Sequence, residues 1–462
     1  MKRLLLCLLS FASYHAVLAQ DATPTLVFPA KHLPVGNHVF DVMVKNIGSA
    51  NVGWNGFKIG WKVDNGPVNE MSPTIPTYAI APNNEVRVAG NFTANFPTTG
   101  THTLKVWTRL TTGTDANKTN DTIVQQVKIL PYVPKKNVVF EVFKHQACCP
   151  CIDAAAYEDT AVTPFSKYSV ANIYTATTDV LYNAEGDTLN DLFQLAHPTV
   201  FFDRYVFPYN TLLENNFFTM NGEYQLRNMK ERDRYYEPLE VSVYSASFNT
   251  ATRLLKVKLK AKVYDTIADN YRFNLYLTED SVKAYQGCHT PNANDYYHMH
   301  VVRKMLGGSW GQSSSLPATL YPNQDYFYEF TYTVPANYNI NKMDMIGMVQ
   351  RYSTDKLNSR IINSANIHFT NALLLSTDDL ASNPFGFSIY PNPATDKIAV
   401  TGELLKNQPA DIVISDFNGK IVKYLAVNDL KDAIDIADLS AASYVLTIKQ
   451  GNKKQSFKFT KQ

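Results

Sequence analysis

The run Val138-Val139-Phe140-Glu141-Val142-Phe143-Lys144-His145-Gln146-Ala147-Cys148-Cys149-Pro150-Cys151 opens with apolar, β-prone residues and ends in three cysteines around a proline. It reads as a strand over 138–143, a short polar break and the first turn of a helix. Ile152-Asp153-Ala154-Ala155-Ala156-Tyr157 continues that helix, because alanine has the highest helix propensity and proline suits a first turn. Cysteines at a helix N-terminus are set up for redox chemistry. Free N–H groups and the helix dipole stabilise a thiolate and can bring a thiol pKa from roughly 8.5 to around 7 or below.

The chain has 462 residues, which suggests about three domains of roughly 150 residues each. Hydrophobic residues at 45% can fill packed cores, and charged residues at 18% fall below the usual ~25%, a mixture that suits β-sheet surfaces. A net charge of +2 gives no electrostatic basis for binding nucleic acid. Met1-Lys2-Arg3 and the apolar Leu4–Phe11 form a charged n-region and a short h-region, with Val17-Leu18-Ala19 as the cleavage site. The apolar run is well short of the ~20 residues of a membrane span, and no later segment reaches that length. Leu4-Leu5-Leu6-Cys7 is a poor lipobox, so residues 1–19 read as a cleaved signal peptide and the mature protein as exported. Without Cys7, the cysteines are Cys148, Cys149, Cys151 and Cys288. Three of them crowd one turn, so local chemistry explains them better than a disulfide scaffold does.

Residues 21–133 read as all-β. Phe40–Val44 and Lys58–Val63 alternate, Asn46-Ile47-Gly48-Ser49 and Asp64-Asn65-Gly66 are turns, and Thr101–Thr108 and Ile123–Leu130 add strands at sandwich spacing. Pro131 and Pro134 mark a boundary. Over 137–237, strands and helices alternate: after the cysteine helix come a strand at 169–174, a helix at 188–195 and an apolar strand entered through His197-Pro198-Thr199. This pattern implies an α/β layer. Glu223–Arg232 reads as a largely exposed helix closing it. Residues 239–375 return to antiparallel β. Leu255, Val257, Leu259, Ala261 and Val263 alternate with four lysines that face water and guard the strand against edge pairing. Residues 376–386 are a polar linker, and 387–462 hold a small β-sandwich with an Asn418-Gly419 hairpin turn.

Resemblances sharpen this outline. The run Val42-Met43-Val44-Lys45-Asn46-Ile47-Gly48 resembles the cell-adhesion-related, immunoglobulin-like modules of bacterial surface proteins, which act as spacers or binding platforms. Cys148-Cys149-Pro150-Cys151 resembles the thioredoxin Cys-Gly-Pro-Cys motif, and Pro198-Thr199 before a strand resembles the cis-proline element that faces it. The resemblance implies Cys148 as the attacking thiol, more exposed and nucleophilic, Cys151 as the resolving thiol, and Pro198 as the cis-proline beside them. Cys149 stands where the family has glycine. Val142 stands where it buries an aspartate, and Glu141 should point to the opposite strand face. The α/β layer, the β-domain and Tyr296-Tyr297-His298-Met299-His300-Val301-Val302-Arg303 together resemble the outer-membrane proteins related to the twenty-eight-kilodalton antigen of Bacteroidota, over about 137–375. Tyr390-Pro391-Asn392-Pro393-Ala394-Thr395-Asp396 resembles the opening of the C-terminal sorting domain of type IX secretion, although Ala441-Ala442-Ser443 replace the family glycine before Tyr444.

The expected fold is therefore a multidomain α+β chain: an immunoglobulin-like β-sandwich (21–133), a thioredoxin-like α/β domain (137–237), an antiparallel β-domain (239–375) and a C-terminal β-sandwich sorting domain (387–462). Three readings of the cysteines stand open. One is a redox dithiol formed by Cys148 and Cys151, with Pro198 in the site. The second is a structural disulfide. The third is metal held by Cys148, Cys149 or Cys151 with Cys288 or His145, although zinc wants four ligands and no second Cys-x-x-Cys supplies them. Cys149 could act as resolving thiol or pair with Cys288. His298 and His300, two apart, would share a strand face and read as surface or core residues. No cofactor and no metal set is read. The implied partners are the type IX secretion machinery, with protein thiols or surface ligands, and no nucleic acid. Function is either thiol–disulfide exchange or non-catalytic surface binding and adhesion, at the cell surface after Sec export.

Overall fold

The computed structural model describes residues 19–28, 31–73, 79–115, 117–193, 195–205, 215–216, 222–373, 387–402, 404, 409–416, 420–430, 432–450 and 453–462. The signal-peptide reading of 1–19 (apart from Ala19), the linker at 376–386 and the Asn418-Gly419 turn lie outside these residues. The described chain is mostly β and divides after Val133 into two compact units.

In the first unit, one antiparallel sheet joins Ala22–Phe28, Gly36–Asn46 and Glu85–Phe96. A second joins His32–Pro34, Thr122–Leu130, Gly100–Leu110, Phe57–Val63 and Asn69–Met71 in that spatial order. Alternation decides the inner face: His102, Leu104, Val106 and Thr108 are buried, and the residues between them are not. Phe92 of the first sheet stacks on Phe40 at 5.6 Å and meets Trp61 of the second at 5.0 Å, so aromatic rings from both sheets build one core.

The second unit is built on one eight-stranded sheet. Its strands are β1 (Val138–Lys144), β2 (Tyr168–Tyr174), β3 (Thr199–Phe202), β4 (Asn215–Asn216), β5 (Tyr271–Glu279), β6 (Val301–Met305), β7 (Met343–Arg351) and β8 (Arg360–His368). Their spatial order is β4-β3-β1-β2-β6-β5-β7-β8. β1 and β2 run parallel, β3 runs antiparallel to β1, and β4 antiparallel to β3. A parallel bridge between Asn172 and Val301 joins β2 to β6, so the sheet passes without a break from the cysteine half into the segment after Pro238. All seven residues of β1 are buried, as expected of a strand covered on both faces. Helices α1 (Pro150–Val162), α2 (Ala184–Phe193) and α3 (Gly222–Asp233) follow β1, β2 and β4.

Leu239–Asn249, Leu254–Val263 and Asp325–Thr333 form a three-stranded second layer. Its inward Leu255, Val257 and Leu259 pack with Phe273, Leu275, Met343 and Met345 of the large sheet. The lysine strand lies in the middle of this layer, between two partners, so its lysines do not guard an edge. They are instead held over aromatic and acidic neighbours, Lys258 Nζ 5.1 Å from the Phe327 ring and Lys260 Nζ 3.4 Å from Asp325. The C-terminal residues form two further antiparallel sheets around Ile398, Ile412, Ile414, Leu446 and Phe459.

α3 corrects another expectation. The sequence reads as an exposed helix, yet Asn228, Met229, Glu231 and Arg232 are buried. Arg232 explains this: its Nε donates to Asp203 at 3.0 Å and its guanidinium lies 4.0 and 4.3 Å from the Tyr205 and Tyr235 ring centroids. A guanidinium is weakly hydrated and stacks on rings, so a polar helix can dock through charge and stacking rather than an apolar stripe. One residue further on, Arg204 is fully buried and donates to both carboxylate oxygens of Glu141 at 2.8 and 2.7 Å, to Tyr276 Oη at 2.6 Å and to the Ser309 carbonyl at 2.7 Å. This network ties β1 to β5.

Candidate functional site

β1 ends at Lys144, the chain turns through His145-Gln146-Ala147, and α1 starts at Pro150. Cys148 and Cys151 form a disulfide with their Cα atoms 5.4 Å apart. Cys149 pairs with Cys288, 139 residues away in sequence, with Cα atoms 5.1 Å apart. The His197–Pro198 peptide is cis. The His197 ring meets the His145 ring edge-to-face at 5.1 Å, so the residue before the cis-proline touches the turn that leads into the cysteines.

The sequence expects Cys148 to be exposed, but Cys148 is only 5% exposed and Cys151 3%. The cause is a segment from far along the chain. Gln146 Nε2 donates to the Tyr285 carbonyl at 2.6 Å, Gly287 N–H to the Gln146 carbonyl at 2.6 Å, and Gln286 Nε2 to the Cys148 carbonyl at 2.8 Å. Glycine is needed at 287, since a Cβ there would stand 2.9 Å from the Ala147 carbonyl oxygen. The segment arrives on a hairpin of Val282–Ala284 and Tyr296–His298. His298 and His300 do not share a strand: His298 ends the hairpin and is buried, whereas His300 has a φ of +50° and lies between strands.

Two buried polar groups belong to the elements around the cysteine turn. Glu158, seven residues after Cys151 and so on the same helix face, ion-pairs with buried Lys144 and accepts a hydrogen bond from Asn172 Nδ2 at 3.0 Å. Sequence reasoning missed this pair, although an acid at that spacing on an alanine-rich helix face is a signal for it. His298 lies between Tyr174 Oη (2.6 Å from Nδ1) and the Tyr285 carbonyl (3.1 Å from Nε2). A neutral ring accepts from the tyrosine and donates to the carbonyl. Among the described residues, two further sets bring metal-ligand atoms within 4.8 Å of one another: Asp21, Asp115 and Asp121, and Asp280, His300 and Asp344.

Burial holds His298 at about 4, and burial together with the nearby His145 holds His197 at about 4. Both rings are therefore neutral at pH 7. Their folded values lie below the unfolded value, so the stability they contribute is complete above about pH 6.5 and is lost as pH falls toward 4. The expected loss is roughly 3 kcal/mol for the two rings, discounted because His197 is only half-buried. Urea unfolding at pH 7 and 4.5 measures it, and imidazole resonances of His197 and His298 titrating near 6.5 would refute it.

Residues 388–462 match the secretion system C-terminal sorting domain, and residues 238–367 match outer membrane protein Omp28. Among solved structures, HBP35 of Porphyromonas gingivalis is 17% identical over 70% of this chain and 98% of its own, with a TM-score of 0.44. The CARDB domain of the PF1109 protein from Pyrococcus furiosus is 15% identical over 24% of this chain and 94% of its own, with a TM-score of 0.19. A putative cell surface protein domain from Methanosarcina acetivorans is 16% identical over 25% of this chain and 95% of its own, with a TM-score of 0.19. No curated protein matches the chain. No helix among the described residues is long and apolar enough to cross a membrane, which leaves β-strand spans unaddressed. The Omp28 match over 238–367 and the secretion sorting domain over 388–462 make this a type IX-exported protein of the cell surface or outer membrane.

Proposed function

We propose that residues 137–237 are a thioredoxin-like domain, that 21–133 are an immunoglobulin-like spacer, and that the Cys148–Cys151 pair exchanges disulfides with protein thiols at the cell surface. The observation that carries this reading is the Cys148–Cys151 disulfide at the head of α1. The strand order β4-β3-β1-β2, with β1 and β2 parallel, supports it, since a thioredoxin fold has this order and these directions.

The chemistry follows from the turn. A substrate thiolate attacks Cys148 Sγ, the Cys148–Cys151 bond breaks, and Cys151 leaves as a thiolate stabilised by the N-terminus of α1. A second substrate thiolate then attacks the substrate sulfur of the mixed disulfide and releases Cys148 as a thiolate. The substrate loses two electrons as its disulfide forms, and the cysteine pair gains them. Glu158, paired with Lys144 on the cysteine face of α1, is the group suited to take up or supply the Cys151 proton. The test is stepwise reduction with thiol labelling read by mass spectrometry. A Cys148–Cys151 bond that reduces in the folded state and labels first at Cys148 supports exchange. Cysteines that react only on unfolding refute it.

The burial of Cys148 favours a second reading, a binding or adhesion protein with structural disulfides. The Cys149–Cys288 bond separates the two, because it anchors the segment that covers Cys148. Cys149→Ser with Cys288→Ser is expected to speed reduction of Cys148–Cys151 at least about tenfold, since local opening costs less free energy once the tether is gone. An unchanged rate refutes the covering role. Ligand or matrix binding that survives Cys148→Ser with Cys151→Ser would favour adhesion.

Deleting 387–462 is expected to leave the protein in the periplasm. Cell fractionation and surface proteolysis measure this, and a truncated form that still reaches the surface refutes the sorting role.

A further inference from the structure

Three chain segments meet at one end of the eight-stranded sheet. Asp280 directly follows β5, His300 directly precedes β6, and Asp344 is the second residue of β7. A carboxylate oxygen of Asp280, an imidazole nitrogen of His300 and a carboxylate oxygen of Asp344 all lie within 4.8 Å of one another. His368, the last residue of β8, pairs directly across the ladder from Asp344. Directly opposed residues share a sheet face with Cβ atoms ~4.5–5.5 Å apart, so His368 stands beside Asp344, outside the set whose ligand atoms lie within 4.8 Å.

The contacts inside the group leave donor atoms free for a ligand. His300 Nδ1 stands 3.1 Å from Asp280 Oδ1, and that oxygen also accepts the His300 backbone N–H at 2.7 Å. The second oxygen of Asp280 is not used by either contact. Asp344 accepts no hydrogen bond from the described residues. Neither carboxylate is paired with a lysine or an arginine among the described residues. Two carboxylates and one neutral imidazole form a nitrogen–oxygen donor set whose charge a dication balances.

We propose that Asp280, His300 and Asp344 bind a divalent transition metal of the zinc class, with the fourth position left open to water. Ligand type argues for that class: imidazole suits zinc and its neighbours, whereas calcium and magnesium take oxygen donors. Ligand atoms at ~2.0–2.2 Å from one ion stand roughly 3–4 Å apart, so modest side-chain rotation closes the set. The position has a consequence. Asp280 and His300 are the two roots of the hairpin whose tip carries Cys288 to Cys149, so a bound ion clamps the hairpin at its base as the disulfide clamps it at its tip. The site does not depend on thiol exchange.

The test uses the oxidised mature protein, stripped with a chelator and titrated with zinc chloride against a chromophoric chelator. The expected result is one zinc per chain, a higher Tm, and a loss of affinity of about 10–100-fold or more in Asp344→Asn with His300→Gln. His289→Gln, outside the set, should bind as the parent does. Cobalt titration provides a second measurement that does not need the variant to fold: ligand-field bands without a thiolate charge-transfer band are expected. Absence of saturable binding, zinc affinity unchanged in the folded double variant, or a cobalt–thiolate band would each overturn the proposal.

Discussion

Cys148→Ser is expected to abolish disulfide exchange, with a loss of about a thousandfold or more, because it removes the sulfur on which the mixed disulfide forms and so the covalent route. Cys151→Ser should behave differently. It keeps the Cys148 thiol but lacks the group that resolves the mixed disulfide, so when offered substrate disulfides its thiolate should displace one substrate sulfur and stay trapped as a covalent adduct with the other. Mass spectrometry of the adducts and a dithiol-oxidation assay distinguish the two variants. Both should fold, since Cys149–Cys288 still anchors α1 and the surrounding contacts among Gln146, Gln286 and Gly287 are untouched. Equal activity in Cys148→Ser and the parent protein would end the exchange reading and leave the cysteine pair structural.

Arg204→Ala is expected to lower unfolding free energy by about 3–5 kcal/mol, the range for breaking a buried ion pair by removing one partner. Arg204 is fully buried and bridges Glu141 of β1 to Tyr276 of β5. Its loss leaves the Glu141 carboxylate, 0% exposed, with the Tyr276 hydroxyl at 3.0 Å as its remaining side-chain donor. Arg204→Met combined with Glu141→Leu should recover most of the loss, because apolar groups of similar volume carry no desolvation penalty. Urea midpoints at constant m measure both variants. A cost below about 1 kcal/mol for Arg204→Ala would mean that the carboxylate is solvated or protonated instead. Because β1 and β5 belong to different halves of the sheet, the double-mutant coupling also measures how firmly the cysteine half is joined to the Omp28 segment.

Several elements were legible residue by residue because their signals are local. The alternation of Leu255, Val257 and Leu259 with lysines is a period of two, and it specified which face is buried whatever the strand packs on. The helix after Cys151 followed from alanine propensity and Pro150, and the cis form of His197–Pro198 followed from the resemblance of its motif. The position of that same lysine strand within its sheet was not legible, because pairing partners are set by residues about 70 positions away. α3 was misread as exposed for a related reason. A polar helix shows no apolar stripe, and only the arrival of Asp203, Tyr205 and Tyr235 makes burial of Arg232 favourable.

The sequence alone therefore determined the sorting segment, the strand–turn–helix that presents the cysteines, and the all-β character of the flanking regions, since each rests on periodicity, propensity or a contiguous motif. Tertiary structure decided what needs distant residues to meet. It paired Cys149 with Cys288, buried Cys148 beneath Gln286 and Gly287, and ran one sheet from β4 to β8 through a single parallel bridge. It also gathered Asp280, His300, Asp344 and His368 at one end of that sheet. The physical reason is that charges, thiols and imidazoles act over a few ångströms in space, and their spacing along the chain says little about that distance until the sheet register is fixed.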